Sequence, residues 1–382
     1  MINLAIRDIR HSWWRYSLTG IILGLLIAAT ITMFGMYRGM IADALSLPST
    51  SGADIWVVQK DTLGPYAEAS SLYADEERGL AGFPGVAEVA NIINFSRQVQ
   101  WGAIDIRVTI VGYEDGKMGE PTNIITGRPI IKSKYEAIAD VRSGFKTGDK
   151  IQIKDDAYTI VGLTEDLVSA AGDPALFIRL KDAQELQAKK DTTSIYNDRS
   201  RSNSTDTNEM SKYKTNAILV KVAPGYDVNQ VAADIKEWKH FEAYTYPEMK
   251  NLLLSKIIDK AAKQLAIFLV ILQTVSAAIV ALLIYTMTMG KLKEIAVLKL
   301  IGASNKLITM MILQEAWGIG VIGYTIGLIV SILWTPIFPR HVAYSIDIRV
   351  LSFVLTIGIC SLASIISIRA AIKVEPSAAI GG

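Results

Sequence analysis

The stretch PEMKNLLLSKIIDKAAKQLAIFLVILQTVSAAIVALLIYTMTM, residues 247–289, decides how the rest of the chain is arranged. No glycine or proline interrupts the 42 residues from Glu248 to Met289. At ~1.5 Å per residue a helix of this length runs ~60 Å, twice the ~30 Å apolar core of a bilayer. Its second half, residues 265–285, is apolar enough to span that core. Its first half carries Glu248, Lys250, Lys256, Asp259, Lys260 and Lys263, so it should stand in water. A single rod joining an aqueous domain to a membrane can carry motion. Two helices meeting at an unmarked break near Lys263 fit the same pattern.

Composition agrees with a chain of two characters. Of 382 residues 51% are hydrophobic and 20% charged, and mean hydropathy is +0.30. Residues of about 45 to 258 are polar and mixed, whereas both flanks are strongly apolar. The net charge of +2 implies no nucleic-acid partner. Cys360 is the only cysteine, so no disulfide forms within the chain. No Cys/His cluster has metal-site spacing, and no G-x-x-x-x-G-K-[ST] stretch is present. The chain should therefore hydrolyse no nucleotide itself.

Upstream of the rod, residues 1–16 read as an amphipathic interfacial helix. Ile2, Ala5, Ile6 and Ile9 share one face, with Arg7, Asp8, Arg10 and His11 opposite. Residues 17–41 form the first span. Ala42-Asp43-Ala44 resembles a signal-cleavage site, but the apolar run is long for a signal peptide and an uncleaved anchor is favoured. Arg7, Arg10 and Arg15 place the N-terminus in the cytoplasm by the positive-inside rule. Residues 42–258 should then be extracytoplasmic. A turn is expected over residues 48–52 and a strand over 55–59. A short helix over 75–83 precedes two strands, 86–101 and 104–113, turning at Gly102. Later come a strand over 216–222, a helix from Asp227 to Trp238 and a strand over 241–246. The pattern suits a split ferredoxin-like unit with an insertion at about 124–212. The insertion has its own strand signals at 137–140, 150–154 and 158–162. Residues 191–214, rich in Ser, Thr, Asn and Asp, read as a loop or partner-dependent segment.

Downstream, 259–289 is the second span with its stalk, and 290–306 a basic cytoplasmic connector. Residues 307–334 form the third span, in which Gly318, Gly320, Gly323 and Gly327 permit close helix packing. An outer loop, 335–349, holds Pro336, Pro339, Arg340, His341 and Asp347. The fourth span, 350–368, and a cytoplasmic tail, 369–382, complete the chain. The expected fold is an α+β membrane protein: four transmembrane helices, with a large extracytoplasmic α/β domain between the first and second.

The connector reads Lys291-Leu-Lys-Glu-Ile-Ala-Val-Leu-Lys-Leu-Ile-Gly-Ala-Ser-Asn-Lys306. It resembles the R-x-x-E-I-x-x-L-R-x-I-G-A-S segment of FtsX/MacB-type (type VII) ABC permeases, with lysines where that family often has arginines. Gly52-Ala-Asp-Ile-Trp-Val-Val-Gln59, Gly64-Pro-Tyr-Ala-Glu-Ala-Ser-Ser-Leu72, Val111-Gly-Tyr113, Gly127-Arg-Pro129, Gly148-Asp149, Ile160-Val-Gly162 and Ile372-Lys-Val-Glu-Pro376 resemble the DevC/HrtB branch. The resemblance implies a multi-pass permease of the bacterial cytoplasmic membrane, both termini inside, working as a homodimer with separate ABC ATPase subunits that hold ATP and Mg. A membrane-fusion adaptor is a further implied partner. This chain carries no cofactor of its own, and haem or another amphipathic molecule is the implied substrate.

The residues give that role a physical basis. Ile295, Leu298 and Ile301 fall on one helical face of the connector, leaving Lys291, Glu294 and Lys299 to meet a partner. Gly302 can end the helix and Ser304 can cap the next. The expected ATPase-coupling set is Lys293, Glu294, Leu298, Lys299, Gly302, Ala303 and Ser304. An interfacial connector anchored by lysines is the plainer alternative. The expected substrate set is Met33, Met36 and Tyr37 on the first span with Gln264 and Phe268 on the second, lining a dimer seam open to lipid. Met or Tyr could ligate haem iron there, although such residues usually serve packing. His341 is a further iron ligand to consider, against an ordinary headgroup contact. Glu315, near lipid, should pair with a cytoplasmic lysine. An exporter, a non-transporting signal transmitter of FtsX type and a lipoprotein-release permease all fit this architecture. No nucleophile, base and orienting group recur together, so a stand-alone enzyme is not expected.

Overall fold

The computed structural model describes residues 13–68, 70–132, 134–188, 214–239, 241–335, 338, 342–343 and 345–373. The expected interfacial helix before residue 13, the stretch 191–213, Pro336, Pro339, Arg340, His341 and the tail from 374 lie outside the described residues. The rest divides into two compact units: a sheet domain, residues 40–260, and a helical bundle of residues 13–39 with 261–373.

The sheet domain begins inside a long helix, α1 (Trp13–Thr50). Residues 48–50, read from sequence as a turn, are its last turn. Pro48 lacks the N–H that would reach the Ala44 carbonyl, so the helix gives up one hydrogen bond two residues before it ends. Ser51 Oγ donates to the Pro48 carbonyl at 2.8 Å, and Gly52 turns the chain away at φ +74°. This end of α1 is held on both sides. Arg142 Nη1 reaches the buried Asp43 carboxylate at 2.9 Å, while Ser46 Oγ donates to the Val168 carbonyl and accepts from the Val168 N–H.

Strand β1 (Ile55–Gln59) follows, then the short β2 (Leu72–Tyr73), α2 (Glu76–Ala81) and the 16-residue β3 (Val86–Trp101). At the far end of the domain come β11 (Ala217–Val222), α4 (Val228–Trp238) and β12 (Phe241–Thr245). The strands lie in the order β12-β1-β11-β3, all antiparallel. Numbered by appearance this is 4-1-3-2, with a helix following each odd strand, the split β-α-β arrangement. Leu80 of α2 and Val231, Ala232 and Ile235 of α4 share one core with Ile55, Val57, Val89, Ile218 and Val220. The opposite side chains, Trp56, Val58, Ala90 and Leu219, join a second core with Leu47 of α1 and with Met249 and Leu253 beyond β12.

Beyond Ile92, β3 leaves β11 and pairs with β4 (Ile104–Tyr113) across a hairpin at Gly102, φ +60°. Between them in sequence and β11 lie β5 (Ile124–Gly127), β6 (Glu136–Asp140), β7 (Lys150–Ile153), β8 (Asp156–Thr164), β9 (Ala175–Arg179), α3 (Leu180–Ala188) and β10 (Lys214–Thr215). The sheet runs on from β4 through β9, β6 and β8 to β5 without a gap. Strands β5 to β9 thus extend the same sheet, while β10 pairs with β2 in a separate two-stranded one. Strand β9, absent from the sequence reading, is its link, parallel to β4 from Thr109↔Ala175 onward. Its Ala-Leu-Phe-Ile core is buried on both faces, so it lacks the alternation that marks a half-exposed strand.

In the bundle, α5 (Tyr246–Gly290) supplies residues 261–290, with α7 (Asn305–Trp334) and α8 (Ile346–Lys373). Among the described residues four helices, including α1, are long and apolar enough to cross a membrane. Glycines set the α1–α7 approach: a Cβ on Gly327 would lie 2.8 Å from the Gly24 carbonyl oxygen, and one on Gly24 would lie 2.8 Å from Ile326. Gly320 performs the same service toward Cys360 of α8. In lipid, where apolar contact alone drives no association, such close backbones gain dispersion contacts.

Candidate functional site

The segment between α5 and α7 is built from a helix and two joints. At Lys291 the backbone leaves helical geometry (φ −107°, ψ 8°), and α6 (Leu292–Leu300) begins. Gly302 stops it in the left-handed region at φ +96°, and Ala303 N–H closes on the Leu298 carbonyl at 2.9 Å. Ser304 Oγ then accepts from the Leu307 N–H, starting α7. The sequence motif thus encodes a short helix isolated by two turns.

One side of α6 is sunk into the bundle: Ile295 and Ala296 are buried, and Leu298 is half-buried. Two lysines expected to reach a partner are instead turned inward. Lys291 Nζ pairs with Glu315 of α7 at 3.0 Å, both largely buried. Lys299 Nζ donates to the Ile372 carbonyl at the end of α8, at 2.8 Å. A cation near a helix C-terminus satisfies carbonyls left open there. The pairing of Glu315 with a lysine, expected for an acid near lipid, is therefore with Lys291. The outward side carries Lys293 and Glu294 together with Val297, Leu300 and Ile301, the last 80% exposed. Ile301, grouped by sequence with the inward face, points out because Gly302 ends the helix before another turn forms. A polar pair beside apolar side chains on a protruding helix is a shape a partner's groove can grip.

The five substrate candidates occupy the ends of α1 and α5 nearer in sequence to the sheet domain. Met33 and Met36 are half-buried; Tyr37, Gln264 and Phe268 are exposed. The structure joins α1 to α5 elsewhere, through a hydrogen bond from Gln273 Nε2 to Thr30 Oγ1 at 2.7 Å. Sequence reasoning missed Gln273, although one amide in an apolar run is a signal in itself. Ser276 lies near it, buried and without a partner for its hydroxyl. No group of acids, histidines and cysteines that could hold a metal occurs among the described residues.

Two family models cover most of the chain. Residues 17–238 match the MacB-like periplasmic core domain and residues 266–376 the FtsX-like permease C-terminal domain. The chain belongs to the FtsX/MacB-type ABC transporter permeases. An uncharacterized ABC transporter permease of Mycobacterium tuberculosis is 22% identical over 382 residues, covering all of both chains. HrtB of Staphylococcus epidermidis, whose name assigns it to a hemin transport system, is 23% identical over 390 residues, covering all of this chain and 99% of that one. The periplasmic region of MacB from Actinobacillus actinomycetemcomitans aligns with 54% of this chain and 95% of its own at 11% identity and TM-score 0.36. A permease of this family is not itself an enzyme and works with an ABC ATPase.

Proposed function

We propose that this permease is the membrane subunit of an ATP-driven exporter, two copies of it paired with two ATPase subunits. The carrying observation is α6, a helix set between two joints, presenting Glu294 and Val297, Leu300 and Ile301 outward while Lys291 and Lys299 tie it to α7 and α8. A push on α6 is delivered to three helices at once, and α5 passes it onward to the sheet domain. The chain termini and α6 lie on the ATPase side in this reading.

The substrate is an amphipathic molecule of haem-like, glycolipid or drug type, taken from the membrane at a seam between two copies. Two features support this: the name of the HrtB relative, and the exposed Tyr37, Gln264 and Phe268 beside half-buried Met33 and Met36. A membrane-fusion adaptor completes the exporter where the envelope has a second membrane. No cofactor is needed in this chain.

The test is Glu294→Ala in the reconstituted permease–ATPase complex. Export of hemin, and hydrolysis stimulated by it, should fall at least tenfold while the two subunits still co-purify. Unchanged export would refute coupling through α6. Hydrolysis that responds to permease without any loss of hemin from proteoliposomes would favour the signal transmitter, and transfer of a lipoprotein instead would favour lipoprotein release.

A further inference from the structure

Glu315 is a buried acid in an apolar helix. It lies ten residues after Asn305, ~15 Å along α7, flanked on that helix by buried Ile312, Ala316 and Ile319. A carboxylate in such surroundings must be paired to repay the cost of leaving water. Its partner is Lys291 Nζ at 3.0 Å, and the side chains of Lys291 and Glu315 are 15% and 8% exposed. Stability alone does not call for this pair, because well-packed apolar groups in its place usually hold a fold as well or better. What a charged, hydrogen-bonded pair adds is direction, since it forms in one geometry with one kind of partner.

The element that needs direction is α6. Open space surrounds both of its joints: a Cβ on Gly290, just before Lys291, or on Gly302 would meet nothing within 4 Å. The backbone at either end can therefore swing without a clash. Ile295 and Ala296 bury one side of α6, but apolar burial has no direction of its own and resists rolling only weakly. The polar ties fix the orientation. Lys299 Nζ, near the end of α6, donates to the Ile372 carbonyl of α8 at 2.8 Å, an acceptor of the kind any helix end offers. Lys291, at the start of α6, meets a side chain placed in α7 for the purpose. The two ties stand ~12 Å apart along the helix and lead to different neighbours, so together they set the tilt of α6 as well as its depth.

We propose that Glu315 is a positioning residue: through Lys291 it fixes the tilt at which α6 presents Glu294, Val297, Leu300 and Ile301. With the carboxylate in place, α6 and the first turns of α7 move as one piece. Without it, α6 rocks on its glycine joints and a push on it is lost in that rocking. The position of α6 follows from the contacts with α7 and α8; its consequence for export rests on coupling through α6 as proposed above.

The test reads position and export separately. For position, a nitroxide is attached at Ile301→Cys, 80% exposed, in the full-length permease in nanodiscs and read by electron paramagnetic resonance; Cys360, the chain's own thiol, is buried. With the pair intact the label should show one motional component. Glu315→Gln, which keeps the shape and removes the charge, should add a second, more mobile one. For export, Glu315→Gln in the permease–ATPase complex should lower hemin exported per ATP hydrolysed at least fivefold while the subunits still co-purify. Lys291→Glu with Glu315→Lys rebuilds the ion pair and should restore both the single component and the export ratio. Lys291→Met with Glu315→Leu should keep thermal stability and restore neither, whereas a role in packing alone would be rescued by this apolar pair. One component in folded Glu315→Gln, or in the apolar pair, would overturn the proposal. Two components in Glu315→Gln with unchanged export per ATP would uphold the positioning role and overturn coupling through α6.

Discussion

At the scale of single residues, the motif Gly127-Arg-Pro129 shows how much structure three positions can set. Gly127 has φ +88°, and a Cβ there would sit 2.3 Å from the Val161 carbonyl oxygen. Its neighbour across the strand pair, Gly162, has the reciprocal problem with the Arg128 carbonyl at 2.7 Å. Only two glycines let β5 and β8 close at this point. Arg128 then grips the buried Glu136 with both Nη atoms, at 3.1 and 2.7 Å, while the Ile131 and Lys132 N–H groups donate to the same carboxylate. The Arg128 hydrogen bonds, with the backbone donors, hold the Glu136 pKa down to about 2 against an ordinary 4.5. A carboxyl depressed on folding adds stability that is present above its unfolded value and is lost as pH falls from about 4.5 toward 2. Half-exposed Arg128 is screened by water, so the pair is worth about 2 kcal/mol at pH 7 and not the full shift. Glu136→Gln should therefore lower hydrogen-exchange protection across β6 and β8 by about that amount at pH 7, with the gap closing near pH 2–3. A gap that stays constant with pH would show that packing, and not ionisation, is what the substitution disturbs.

At the scale of elements, the two helices entering the sheet domain are fixed to different parts of it. The end of α1 is clipped to residues around β6 and β8 through Asp43–Arg142 and Ser46–Val168. The start of α5 grows out of β12, where Thr245 and Glu248 form a capping box and Pro247 occupies the first turn. The rod was legible in the sequence because 42 residues without glycine or proline leave few other structures. The sequence could not show the π-helical turn at Leu253–Ile258, which places Leu253 and Ile258 inward. No residue type marks such a turn; tertiary packing chooses it. The joint between α6 and α7 was legible through Gly302 and Ser304, whose backbone roles are local. The inward turn of Lys291 and Lys299 was not, because their partners Glu315 and Ile372 lie 24 and 73 residues away. Strand β9 was hidden for a similar reason, since burial on both faces erases alternation. If α5 relays force as one rod, softening it below the sheet should separate hydrolysis from export. Ala261→Gly with Ala262→Gly costs about 2 kcal/mol of helix preference but removes no large side chain. The complex should still assemble and hydrolyse ATP, while hemin export from proteoliposomes falls at least fivefold. Full export would mean that motion reaches the sheet domain without a rigid α5.

At the scale of the whole molecule, the spans are unequally covered. In the apolar window of α1, 56% of residues are buried within one chain, against 17% in α5. Phe268, Ile271, Val275 and Leu282, all exposed, recur at spacings of three, four and seven residues, one stripe of a helix. Lipid can cover any apolar face, so exposure alone selects no partner. What singles out α5 is that stripe together with α6 at its end. Two copies meeting along α5 would bring both α6 helices to one partner pair. A twofold axis along the stripe brings each residue near its own copy, so single cysteines there should cross-link to themselves. The chain suits that experiment because Cys360, its only cysteine, is buried against Gly320. Val275→Cys should give a disulfide-linked dimer in native membranes under mild oxidation. Leu362→Cys, 69% exposed on α8, should stay monomeric. Cross-linking at Leu362 but not at Val275 would move the seam to α8 and remove Gln264 and Phe268 from the substrate path.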